Sequence, residues 1–258
     1  MVVAVSAKNS GNEVFWVSES RSAATRDRAS QAGLHDAGTL AKLCELCPVI
    51  VSVCPPEFAE EIAEQVALQS YQGIYVDANA ISPDRTRRIA QRLEAQSTRF
   101  VDGGIIGPPA VTRNRTWLYL SGEGAAEIAS CFSAGPIETE VLEGEIGRAS
   151  ALKMCFAAYS KGSIALASAV LTAAENLEVL EDLKRQWSRS GPSLPDLERE
   201  ILRAAPKAWR FVAEMLEIAN TFESAGLPPE FHQAAAEIFR SVAERHTVDY
   251  QHEQSKKH

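Results

Sequence analysis

The sequence predicts a doubly wound α/β domain with a mostly parallel sheet over residues 1–145, followed by an all-α domain over residues 146–258. Three observations carry this. Strands and helices alternate through the first half, the order of repeated βαβ units. The run VIVSVCP, residues 49–55, is continuously apolar and stops at Pro55-Pro56, as a strand covered on both faces of a parallel sheet should. From Gly147 onward the periodicity turns helical and no strand pattern recurs, so the boundary is expected near Glu143–Gly147.

Each element has its own reason. MVVAVSAKNS, residues 1–10, has the composition of the later part of a helix, and Gly11-Asn12 turns it into a strand, EVFWVSE, over 13–19. Ser22 to Ala32 reads as a polar helix and Thr39 to Leu46 as a short one. After the apolar strand at 49–55, Glu57 to Gln69 is amphipathic and helical, and IYVDAN, 74–79, is the next strand. Ser82-Pro83 opens a helix to Ala95, with serine as N-cap and proline at the first helical position, where its missing donor costs nothing. The strand RFVDGGI follows, then TWLYLSG (116–122) and PIETEVL (136–142) on either side of a helix near Glu123 to Phe132. In the second half one helix of about seven turns is expected from Ser150 to Leu177. A Gly/Pro/Ser break is expected at Ser188–Asp196, then helices at about Ala204–Ala225 and Pro229–Arg245.

Composition narrows the function. With 258 residues and 45% hydrophobic content there is material for one large or two ordinary domains. A formal charge of −8 argues against a general nucleic-acid binder. No unbroken run of eighteen apolar residues occurs, so no membrane partner is expected, and Met1–Ser10 lacks the charged start and apolar stretch of a signal peptide. The cysteines Cys44, Cys47, Cys54, Cys131 and Cys155 lie in apolar stretches, which predicts buried reduced thiols and a cytoplasmic location. Cys44 and Cys47 have metal-like or redox-like spacing but no second ligand pair, and the tail bearing His246, His252 and His258 reads as frayed and solvated, so no metal is expected.

Two segments carry chemistry. FVDGGIIGPPA, residues 100–110, is a strand running into a Gly/Pro turn, where glycine lets backbone approach a bound molecule closely. GRASALKMCFAAYSKG, residues 147–162, starts a long apolar helix with Lys153 among Ala, Leu, Met and Cys. A desolvated lysine titrates closer to neutrality than a free one and can exchange a proton with substrate; a lysine snorkelling from a helix end is the plain alternative. Arg21, between Ser20 and Ser22 at the end of the first strand, has the guanidinium geometry that suits a ribose phosphate, against a solvated arginine at a helix start. His232 stands alone on an apolar helix, where a satisfied core histidine is the ordinary reading, and Trp209 and Phe211 read as helix-packing residues.

Together with IYVDANAISPDRTRRIA and KAWRFVAEMLEIANTF, these segments resemble the 6-phosphogluconate dehydrogenase and 3-hydroxyisobutyrate dehydrogenase superfamily, in the group with its own helical C-terminal domain. The resemblance implies a Rossmann-like first domain and hydride transfer between a dinucleotide and a small hydroxy/carbonyl or amine/imine substrate. It implies NADP(H) as cofactor, with NAD the alternative, bound by Ser20, Arg21, Ser22, Cys54, Pro55, Pro56 and Asn79. Lys153 takes the place of the general acid/base lysine; Gly104, Ile105, Ile106, Gly107 and Pro108, with Tyr159 and His232 in an interdomain cleft, take the place of the substrate contacts. The resemblance also implies a homodimer formed through the helical domain. The chain departs from the family in three places. No Gly-rich phosphate loop precedes the first strand, so the chain is expected to begin after that element and to bind dinucleotide weakly. Ala157 stands where an asparagine is usual four residues after the lysine, leaving Lys161 or Tyr159 as substitutes, and the apolar Ile105–Pro108 replaces a Ser-Gly-Gly loop. The competing expectation is a non-catalytic truncated homologue that folds and dimerises without effective cofactor binding.

Overall fold

A computed structural model describes residues 1–255, with side chains described as far as His246. Two compact units divide the chain, Met1–Met154 and Cys155–His258.

The first unit is α/β, in the order α1 (Val2–Asn9), β1 (Phe15–Trp16), α2 (Ala23–Gln31), β2 (His35–Asp36), α3 (Leu40–Leu46), β3 (Val49–Ser52), α4 (Ala59–Ala67), β4 (Ile74–Asp77), α5 (Pro83–Glu94), β5 (Arg99–Ile106), β6 (Trp117–Ser121), α6 (Ala125–Ser130) and β7 (Glu138–Val141). Strands β3-β4-β5-β6-β7 form one sheet, parallel except where β6 runs against β5. Strands β1 and β2 pair in parallel as a separate ribbon. The first strand is two residues long rather than the seven its pattern suggested, because only β2 gives it a ladder partner among the described residues.

Alternation across the sheet sets two cores. Ile74, Val76 and Val101 point to one face and pack with Leu118, Leu120 and Ile128, and Val2, Val3 and Ala7 of α1 close over them. Ile50, Tyr75 and Phe100, paired across β3, β4 and β5, point to the other face under Ala63, Val66, Ile89 and Leu93 of α4 and α5. The Tyr75 and Phe100 rings stack at 6.1 Å, which adds about 0.5–1.5 kcal/mol to their burial. One pleat further along this same face the apolar row gives way to a polar one: Ser52, Asp77, Asp102 and Ser121 stand side by side on β3, β4, β5 and β6, all buried.

α7 (Arg148–Asn176) starts in the first unit and continues into the second, which otherwise holds α8 (Leu180–Trp187), α9 (Leu194–Ala204), α10 (Ala208–Ser224) and α11 (Glu230–Ser255). The expected break at Ser188–Asp196 is only half present: Ser193 is the N-cap of α9 and Pro195 sits in its first turn, where proline starts a helix instead of ending one. α11 runs ten residues past the expected end. The side chain of His252, and His258 altogether, lie outside the described residues. By length and composition α7 is long and apolar enough to cross a membrane, although its apolar residues form no unbroken run of eighteen; core helices of soluble proteins share these properties.

Two side-chain expectations need correcting. None of the five free cysteines is fully buried, and Cys155 is exposed. Trp209 is 59% exposed, so it is not a packing residue of its unit. Phe211 does pack, with its ring edge-on to Phe239 at 5.2 Å.

Candidate functional site

In an open α/β sheet, ligands bind at the carboxyl ends of the strands, and the first unit gathers its distinctive side chains there. At the end of β1 a tight turn links Ser18 carbonyl to Arg21 N–H at 3.1 Å, with Ser20 at φ 58°, a left-handed conformation unusual for a side-chain-bearing residue. Ser22 caps α2, accepting from Thr25 N–H. Arg26 donates to the Ser18 and Arg21 carbonyls, both at 3.3 Å, and holds the turn. Asp36, at the end of β2, accepts from Gly38 N–H at 2.7 Å, and that bond with one from Ser18 holds its carboxyl below the usual carboxylate range. Arg21 is exposed.

The turn after β3 is braced from β4. Asn79 Oδ1 accepts from Cys54 N–H at 2.6 Å, Asn79 Nδ2 donates to Ser52 Oγ at 3.1 Å, and Asn79 N–H donates to Asp77 Oδ1 at 2.9 Å. The carboxamide is 2% exposed and spent at both ends on fixing where Cys54, Pro55 and Pro56 leave the sheet. Burial pushes the Cys54 thiol up to about 11, with Arg21 pulling weakly the other way, so the sulfur is protonated and inert. Asp77 is pushed up to about 7 by burial, against the bonds from Asn79; its Oδ2 has no hydrogen-bond partner among the described residues.

At the end of β5, Lys153 Nζ donates to Ile105 carbonyl at 2.9 Å. Gly104 makes this approach available: a Cβ there would lie 2.6 Å from Ala149 carbonyl oxygen and 3.3 Å from Lys153 Cβ. The loop beyond turns back sharply, with Gly107 at φ 125° and Thr116 Oγ1 donating to Pro108 carbonyl at 2.5 Å. Ile105 and Ile106 are half-buried, Gly107 and Pro108 exposed. A small hollow lined by Glu94, Arg99 and Glu123 lies at the opposite, amino end of β5.

The remaining expected residues belong to the second unit. Tyr159 is 82% exposed on α7. Lys161 is paired with Glu214 and sits 4.8 Å above the Phe211 ring, so it is already engaged. His232 is 4% exposed between the edges of Phe222 and Phe231, and burial lowers its pKa, which keeps it neutral; its Nδ1 finds no partner among the described residues. Sequence reasoning missed Arg26, Asp36, Asp77 and Asp102. A polar residue inside a strand otherwise apolar, as in IYVD and FVDGG, was the available signal for the last two.

Comparison with known proteins agrees with this architecture. Residues 174–242 match a domain of unknown function, DUF1932. An uncharacterized 28.5 kDa protein of Methanothermus fervidus is 25% identical over 234 residues, 90% of each chain. A solved conserved protein of unknown function, described as structurally similar to 3-hydroxyacid dehydrogenases, is 28% identical with a TM-score of 0.67, covering 94% of this chain and 92% of that one. A 3-hydroxyisobutyrate dehydrogenase from Salmonella typhimurium shares the fold at 15% identity, with a TM-score of 0.68 over 94% and 90% of the two chains. Residues 1–133 match the NAD binding domain of 6-phosphogluconate dehydrogenase, and since that is just over half of the 258 residues, the chain belongs to this family, with a mostly parallel α/β unit followed by a helical one as in the 3-hydroxyacid dehydrogenases.

Proposed function

We propose that this chain is an NADP(H)-dependent oxidoreductase of the β-hydroxyacid dehydrogenase type, acting on a small carbonyl/hydroxy or imine/amine substrate. The observation that supports it most is the lysine–carbonyl contact at the end of β5, in the same sheet whose β3 ends in the braced turn Cys54–Pro56; the arginine-flanked turn Ser20–Ser22 ends β1 of the separate ribbon. The residues fit a dinucleotide in part. Arg21, with no side-chain hydrogen bond among the described residues, has two parallel donors for a ribose phosphate, and Arg26 keeps its turn in place. Bound NADPH would supply the hydride. Lys153 then exchanges the proton on the substrate oxygen or nitrogen, and the half-buried Ile105 and Ile106 keep water from that atom and favour a bulkier, less charged molecule than a hydroxyacid.

One observation favours a second reading, a homologue without effective cofactor binding. The β1–β2 ribbon and the five-stranded sheet share no ladder among the described residues, so no strand pairing fixes the Arg21 turn against the ends of β3 and β5. Fluorescence titration separates the two. Under the first reading NADPH binds weakly, preferred over NADH, and Arg21→Ala narrows the preference by about tenfold, the scale of one charge-assisted contact. A preference for NADH sinks the arginine argument, and no binding at millimolar cofactor selects the second reading.

We further propose that the protein is a homodimer through its helical unit. On α7, Phe156, Tyr159, Ser163, Leu166, Val170 and Ala173 recur at alternating spacings of three and four, the seam along which two helices pair, and Phe156, Tyr159 and Leu166 are exposed. Leu166→Glu places a charge in that seam. Sedimentation should find the parent as a dimer and the variant as a 28 kDa monomer at micromolar concentration; a monomeric parent overturns the assembly.

A further inference from the structure

The proposed reaction uses Lys153 but leaves unexplained how a residue on a long helix is held against the end of a strand. α7 lacks a capping side chain of its own, because the residue before its first turn is Gly147, at φ 102°. Its caps come from the sheet. Asp102 Oδ2 on β5 accepts from Gly147 N–H at 2.9 Å and Ser150 N–H at 3.1 Å, and Oδ1 accepts from Ser150 Oγ at 2.6 Å. Ser121 on β6 donates its hydroxyl to Asp102 Oδ2 at 2.9 Å and accepts from Ala149 N–H at 3.2 Å. Thr86 on α5 lies within hydrogen-bond distance of Ser150 Oγ at 2.9 Å. Asp102 is fully buried, and its carboxylate receives four donors and the positive end of the helix dipole.

The same strand therefore grips the helix at two heights. Asp102 holds the first turn, and three residues on, the Ile105 carbonyl receives the ammonium of Lys153, which follows Ser150 by three. Gly104 lies between and sets the separation. Strand and helix advance by different amounts per residue, so only one axial position of α7 satisfies both contacts. We propose that Asp102 is a positioning residue for Lys153: it fixes the axial position of the first turn of α7 and so keeps the ammonium on the end of β5. The inference rests on the reading of Lys153 as the proton-exchanging group, but the contact it explains can be tested without cofactor or substrate.

The test is competitive trace acetylation of the native protein, read by mass spectrometry as the labelling of Lys153 relative to Lys207, which is exposed. In the parent, Lys153 should label more slowly than Lys207. Asp102→Asn presents an amide N–H to the helix donors; in the folded variant the Lys153/Lys207 ratio should rise about tenfold, the scale of a lost charge-assisted bond, with other lysines unchanged. Ser150→Ala removes one donor and keeps the carboxylate, and should raise the ratio about threefold, the scale of one neutral bond. A merely stabilising Asp102 would lower the melting temperature and leave the ratio alone. Should Asp102→Asn fail to fold, Ser150→Ala decides the matter alone. An unchanged ratio in every variant that folds overturns the proposal. A failure to bind NADPH would sink the proposed function and leave this ratio readable.

Discussion

Lys153→Ala should lower turnover by roughly 10²–10⁴-fold on whichever carbonyl or imine the protein reduces, the contribution of one positioned acid/base group. The expectation follows from the contact with Ile105. A carbonyl at 2.9 Å fixes Lys153 Nζ at the end of β5, where the proposed proton transfer to a developing alkoxide or amine nitrogen takes place. Two polar groups at the ends of β3 and β4 are unsuited to substitute: Asn79 is spent on Cys54 and Ser52, and the Cys54 thiol is protonated up to about 11. Because Lys153 lies at β5 whereas Arg21 follows β1, the variant should bind NADPH as the parent does, so the loss appears in kcat. Lys153→Arg keeps the charge but is too weak an acid to give up its proton, and should recover little. Turnover within threefold of the parent for Lys153→Ala would show the lysine to be a structural strut between α7 and β5.

The sequence made the architecture legible where elements were long and their signals local. The run at 49–55 and the Ser82-Pro83 helix start each announced an element by themselves, although β3 occupies only Val49–Ser52 of that run, because the last residues leave the sheet for the turn that Asn79 braces. What was hidden depends on partners far along the chain. β2 is two polar residues, His35 and Asp36, and exists only because β1 lies beside it. The N-cap rule inspects the residue before a helix and finds Gly147, whereas the side chain that caps α7 comes from Asp102, 45 residues earlier. Lys153 could be picked out by type and setting. That its ammonium would be occupied by a strand carbonyl, and that Asn79 would be used up inside the protein, follows from packing and from no local pattern.

The row Ser52–Asp77–Asp102–Ser121 also sets how stability should respond to pH. Two carboxyls are neighbours on adjacent strands, and only Asp102 has donors for a full negative charge. Asp77 takes its bonds from Asn79 and has a bare Oδ2; burial first, and the nearby Asp102 as well, push its pKa from 3.8 up to about 7 against them. The sign follows by linkage. Between these two values the folded chain keeps a proton that the unfolded chain has released, so this contribution to stability is fully present below pH 3.8 and is lost as pH rises through about 7. A shift of that size is worth on the order of 4 kcal/mol in a fully buried site. Asp77→Asn retains an acceptor for Asn79 N–H and cannot ionise. Its urea-unfolding free energy should therefore lack this fall, lying within about 1 kcal/mol of the parent at pH 4 and above it by a few kcal/mol at pH 8. The ionisation would act on the candidate site, since Asp77 supports Asn79 and Asn79 holds Cys54. Above pH 7 the parent should accordingly exchange the Cys54 amide proton faster than the variant does. Parallel stability curves for the two proteins from pH 4 to 8 would mean that Asp77 is ionised in the native state throughout, and that the polar row carries two charges.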